Sequence, residues 1–62
     1  MIKRVALERH LRRHDCAKVR EGGRHSVWHG PKGTSSTVPR HRQIPRTTAQ
    51  SICKQLGVPR IS

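Results

Sequence analysis

The side chains best equipped for chemistry in this 62-residue sequence are five histidines, two cysteines, one tryptophan and three acids. The acids, Glu8, Asp15 and Glu21, are too few and too scattered to hold catalytic magnesium, and no P-loop-like glycine run is present. Nucleotide-dependent phosphoryl transfer and two-metal nuclease chemistry are therefore excluded. His10 and His14 stand i,i+4, a spacing that can chelate a metal, but Leu11-Arg12-Arg13 lies between them and no third ligand follows at zinc-finger spacing. They read as solvated surface histidines, and neither a metal site nor a cofactor is expected. Cys16 and Cys53 form no C-x-x-C and read as two buried thiols of a cytosolic protein, without chemistry of their own.

His25 has a different setting. It follows Gly22-Gly23-Arg24, where small residues leave room for a ligand backbone to approach. A neutral imidazole can take the proton of a ribose 2′-hydroxyl, whose attack on the adjacent phosphate needs no metal. Nearby guanidinium groups would stabilise the charge that develops on phosphorus. Arg24, Arg20 and Lys18 are the candidate phosphate contacts, and Ser26 and Arg40 join them as candidate RNA contacts. His41, between Arg40 and Arg42, reads as a substrate contact, a second proton donor or a loop residue with no specific contact. The other reading of His25 is a polar strand-end residue. His29 flanks a turn and is expected to be exposed. Trp28, the single aromatic residue, is expected to pack in the core rather than to stack on a base.

Composition sets the scale. Leu, Ile, Val and Phe account for 12 of the 62 residues, so one domain spanning 1–62 with a thin core is the most the chain can build. Fourteen Lys and Arg against three acids give a net charge of +11, and ten of the fourteen are Arg. Arg presents a planar fork of donors that matches phosphate oxygens, so nucleic acid is the leading partner, with an acidic protein the electrostatic equivalent. No apolar run approaches a membrane span and no signal-peptide core follows Lys3-Arg4, so the chain reads as cytosolic and unprocessed.

The elements that must position His25 follow from spacing. Residues 3–14 lack Pro and Gly and carry Leu7 and Leu11 at i,i+4, the mark of an amphipathic helix. Short strands are expected at about 16–20, 25–29 and 35–38, separated by the turns Glu21-Gly22-Gly23 and Gly30-Pro31-Lys32-Gly33. In the first strand Ala17 and Val19 point one way, and Cys16, Lys18 and Arg20 the other. Arg40 to Pro45 reads as a basic loop. A second helix at about 48–56 has a Thr47/Gln50 capping box, an apolar stripe of Ala49, Ile52, Cys53 and Leu56, and a stop at Gly57. The tail beyond reads as loose. The result is an α+β fold, α-β-β-β-α, with both helices on one face of a three-stranded antiparallel meander and the other face open and basic. Leu7, Leu11, Val19, Val27, Val38, Ile52 and Leu56 are the expected core, with Cys53 as a small hydrophobe.

Three stretches, Gly22-Gly23-Arg24-His25-Ser26-Val27-Trp28, Thr37-Val38-Pro39-Arg40-His41-Arg42 and Thr48 to Gly57, together resemble the HicA toxin family of bacterial toxin–antitoxin systems. The likeness is collinear from the first helix to Gly57. It implies a double-stranded-RNA-binding-domain-like fold and a cytoplasmic bacterial mRNA interferase, a metal-independent endoribonuclease. The family's catalytic histidine maps onto His25. A cognate HicB antitoxin that blocks the active site is implied as partner. Arg24 stands where the family usually has Ser, and Thr48 where Gly is common. A non-catalytic RNA-binding module of the same fold is the alternative. A DNA-binding reading would have to use the second helix, which offers only Gln50, Lys54 and Gln55 as polar contacts.

Overall fold

The computed structural model describes residues 1–61. Helix α1 runs Arg4–Arg13 and buries Leu7 and Leu11, while Glu8 faces Arg4 at 3.7 Å and Arg12 at 4.0 Å, both at i,i+4 spacing. It stops because Asp15 turns left-handed (φ 65°). The Asp15 amide then reaches the Arg12 carbonyl (3.3 Å) and the Cys16 amide the Leu11 carbonyl (3.0 Å), a Schellman closure that delivers buried Cys16 beside the helix end.

Short strand β1 (Ile2–Lys3) precedes α1; β2 (Ala17–Glu21), β3 (His25–His29) and β4 (Ser35–Pro39) follow it. After them come short strand β5 (Gln43–Ile44) and helix α2 (Arg46–Leu56). The meander β2-β3-β4 is antiparallel, with Ser26 opposite Val38 and Trp28 opposite Ser36. The expected α-β-β-β-α order and three-stranded sheet are therefore present. So is the stop at Gly57, which adopts φ 74° while the Val58 amide bonds the Cys53 carbonyl at 3.0 Å.

The core is one cluster of Leu7, Leu11, Cys16, Trp28, Val38, Ala49, Ile52, Cys53 and Leu56, extended by Ile2, Ile44 and Ile61. Trp28 is fully buried, as its packing role required; its indole N–H donates to Ser26 Oγ at 3.2 Å and the Arg12 guanidinium lies 5.2 Å above its ring. Cys16 and Cys53 are both free and buried.

Four expectations are corrected. Val19 is 50% exposed rather than core, because the register between β2 and β3 shifts at that residue: Lys18 opposes Trp28 and Arg20 opposes Val27. Val19 is the extra residue of a β-bulge, and an extra residue moves everything after it to the other face. Arg20 thus leaves the side it was to share with Lys18 and joins Val27 on the open face, so Val27, expected in the core, is only half-buried and lies outside it. The second correction concerns the basic loop, whose Gln43–Ile44 pairs with Ile2–Lys3 and brings Ile2 and Ile44 into the core. Third, α2 begins at Arg46, directly after Pro45, with no side-chain cap, so Thr47 does not form the capping box. Fourth, the tail is tied down: Ile61 is buried, Gln50 Nε2 donates to its carbonyl at 2.7 Å, and His10 Nε2 donates to the Pro59 carbonyl at 2.7 Å.

Candidate functional site

The β2–β3 connection is a tight turn. The Gly22 amide bonds the His25 carbonyl at 2.8 Å, leaving only Gly23 and Arg24 at its tip. Positive φ is not what the glycines supply here, since neither adopts it. Gly22 is required by space instead: a Cβ there would stand 2.8 Å from the His25 carbonyl oxygen. His25 opens β3 opposite Pro39, on the face of the sheet that the helices leave uncovered, and its side chain is exposed.

Two hollows meet at His25. One, of about 540 Å³, is lined by Gly23, Arg24, His25, Arg40 and His41. The other, of about 290 Å³, is lined by Arg20, Gly22, Gly23, Arg24, His25 and Val27. The structure therefore brings together four of the residues singled out around His25, namely Arg20, Arg24, Arg40 and His41. No ion pair engages Arg20 or Arg24 among the described residues.

Arg40 is held differently. Its guanidinium donates to the Gly22 carbonyl at 2.9 Å and lies 3.6 Å from Glu21 Oε1, while its amide bonds the Arg24 carbonyl at 3.0 Å. Its own carbonyl accepts from Arg4 Nη1 at 2.7 Å, and the Arg4 amide bonds the Arg42 carbonyl at 3.0 Å. A continuous strut thus runs from the first turn of α1 through Arg40 to the turn that carries His25. Arg4 and Glu21 were not singled out from sequence as site residues, because in so basic a chain nothing distinguishes the one Arg that will grip a particular carbonyl, or the acid that will face it, from their neighbours.

Two other candidates are not brought to this surface. Ser26 is 1% exposed; its hydroxyl accepts from Trp28 and donates to the Val38 carbonyl at 3.4 Å, so it faces the core. Lys18 lies on the helix-covered side, opposite Trp28, with Nζ 3.3 Å from Glu21 Oε1. Lys18 and Arg40 together hold the Glu21 carboxyl below the usual carboxylate range, the hydrogen bond from Lys18 contributing most. Burial raises both thiols, Cys16 further by the neighbouring Cys53 and Asp15. His10 and His14 sit ring to ring, 4.6 Å between centroids, far along α1 from the strut, and His29 is exposed as expected.

Fold and site together define a small α+β protein of α-β-β-β-α order, whose bare sheet face presents a histidine between two basic hollows. No described helix is long and apolar enough to cross a membrane. The family model for the HicA toxin of bacterial toxin–antitoxin systems matches residues 6–58, and the chain belongs to that family. No curated protein and no solved structure matches it.

Proposed function

We propose that this toxin is a metal-independent endoribonuclease that cleaves mRNA, with His25 as general base. The observation that carries the reading is the position of His25, exposed at the junction of two hollows that Arg20 and Arg24 make basic. A neutral imidazole there removes the proton of a ribose 2′-hydroxyl. The resulting oxygen attacks the adjacent phosphorus, the 5′-oxygen of the next nucleotide leaves, and the product ends in a 2′,3′-cyclic phosphate. Arg24 and Arg20 stabilise the additional negative charge on the phosphoryl oxygens in the transition state. The chemistry draws on no cofactor.

A cognate antitoxin completes the reading. An acidic protein that binds only the folded form would neutralise the +11 charge, cover the open face and add stability by mass action. The test is cleavage of a long single-stranded RNA in EDTA by the chain and by His25→Ala. Fragments with 2′,3′-cyclic phosphate ends from the wild type alone support the proposal. RNA binding by both proteins with cleavage by neither, on free or ribosome-bound message, favours a binding module of the same fold.

A further inference from the structure

Transesterification needs two proton transfers, and the reading above assigns only one. The 2′-oxygen gives up a proton to His25, but the 5′-oxygen leaves as an alkoxide unless a second group protonates it. Any such group has to lie against the same scissile phosphate, so it must line one of the two hollows that meet at His25.

The linings leave one choice. Beside His25, the smaller hollow offers Arg20, Arg24, Val27 and glycine, and the larger adds Arg40 and His41. A guanidinium is permanently charged and does not release a proton near neutrality. Glu21, the carboxylate next to the turn, lines neither hollow and is occupied by Lys18 and Arg40. His41 is thus the one remaining side chain able to exchange a proton there.

We infer that His41 is the general acid of the reaction, donating a proton to the departing 5′-oxygen while His25 accepts one from the 2′-oxygen. This rests on the proposed ribonuclease activity and completes it. Protons balance: one moves from substrate to His25 and one from His41 to the leaving 5′-oxygen, so the downstream RNA strand departs with a 5′-hydroxyl. The main chain on both sides of His41 is fixed, through the Arg40 carbonyl on Arg4 Nη1 and the Arg42 carbonyl on the Arg4 amide. The imidazole is exposed on this held loop, so its replacement leaves those tethers intact. At about 540 Å³ the hollow that it shares with His25 also falls within the roughly 300–1,000 Å³ typical of ligand sites.

The test replaces the leaving oxygen by sulfur. A thiolate needs no proton to depart, so a bridging 5′-phosphorothiolate at a site mapped with the wild-type chain removes the demand for an acid and keeps the demand for a base. On the ordinary RNA, His41→Ala should lose about 10²–10⁴-fold in kcat. On the phosphorothiolate it should come within about tenfold of wild type, while His25→Ala stays inactive on both substrates. A His41→Ala chain equally impaired on both substrates makes His41 a positioning or phosphate contact and overturns the inference, with the ribonuclease reading intact. Rescue of His25→Ala in place of His41→Ala reverses the two roles and overturns it also. A wild-type chain that cuts no RNA defeats the ribonuclease reading itself, and this inference with it.

Discussion

Ser26→Ala separates a core role from an RNA-contact role at one atom. The fully buried indole of Trp28 has Ser26 Oγ as its hydrogen-bond acceptor, at 3.2 Å. Removing that oxygen leaves a buried N–H unpaired, which costs about 1–3 kcal/mol. The second bond of the hydroxyl, 3.4 Å to the Val38 carbonyl, is long and adds little. Taking about 2 kcal/mol, and roughly 4–8 °C per kcal/mol for a domain this small, the midpoint of thermal unfolding should fall by about 8–16 °C. A core of this size supplies only about 3–5 kcal/mol in all, so roughly half the stability depends on one hydroxyl.

Circular dichroism melts of a double-mutant cycle isolate the interaction. Trp28→Phe removes the N–H, so in that background Ser26→Ala should cost less than about 0.5 kcal/mol, leaving a coupling of about 1.5 kcal/mol. Trimethylamine N-oxide can be added equally to all four proteins to keep the weakest folded. RNA affinity measured well below the melt should be unchanged by Ser26→Ala. An equal cost in both backgrounds refutes the hydrogen-bond argument, and weakened RNA binding with unchanged stability refutes the inward orientation of Ser26.

Arg40→Ala removes the guanidinium bonds to Gly22 and Glu21 and should slow cleavage while leaving the salt dependence of RNA affinity unaltered. If Arg40 were mainly a phosphate contact, the slope of log K against log salt would instead shrink by about 0.7–0.9. Gly30→Ala would place a Cβ 2.5 Å from the Leu56 carbonyl oxygen, where the β3–β4 turn meets the end of α2. It should lower the urea stability by about 1–3 kcal/mol, and an unchanged midpoint would contradict that close approach. The two thiols are pushed up by burial, so the folded chain holds their protons after the unfolded chain has begun to lose them. Their contribution is complete below the ordinary thiol range and is lost as pH climbs from there through the raised values of the folded chain, so urea midpoints should fall progressively above about pH 8. Replacing both Cys16 and Cys53 by Ala should make that fall shallower; an identical fall would assign it to other groups.

The parts of the fold that sequence made legible are those with a local cause. Leu7 and Leu11 mark α1, the stripe from Ala49 to Leu56 marks α2, Gly57 stops it, and the two turns delimit β3. What escaped depends on contacts made across the chain. The bulge at Val19 leaves no local trace, yet it decides that Arg20 and not Lys18 shares the open face with His25. Ile2 and Ile44 meet through strands of two residues each, too short to show any alternation. Ser26 reads as one more polar residue beside a histidine until the Trp28 indole beneath it comes into view. His25 itself was legible from its glycine turn, whereas its proximity to His41 was not, because sequence does not reveal how the 40–42 loop lies against that turn.

The distribution of charge explains how so basic a chain can fold and still offer a bare cationic face. None of the three acids lines either hollow at His25. Glu8 lies between Arg4 and Arg12 on α1, Glu21 holds Lys18 and Arg40, and Asp15 occupies the left-handed position that ends the helix. Glu21 pairs with Ser26 across the strands, which directs it to the side opposite the open face, since cross-strand partners share a face. Carboxylates thus stand where cations serve the architecture, and none lies on the sheet face that carries His25 and Arg20. An approaching polyanion meets there only positive or neutral groups, which favours fast, salt-sensitive association. The same surplus leaves the isolated chain repelling itself, so a partner that supplies acid to this face would both block it and stabilise the fold beneath it.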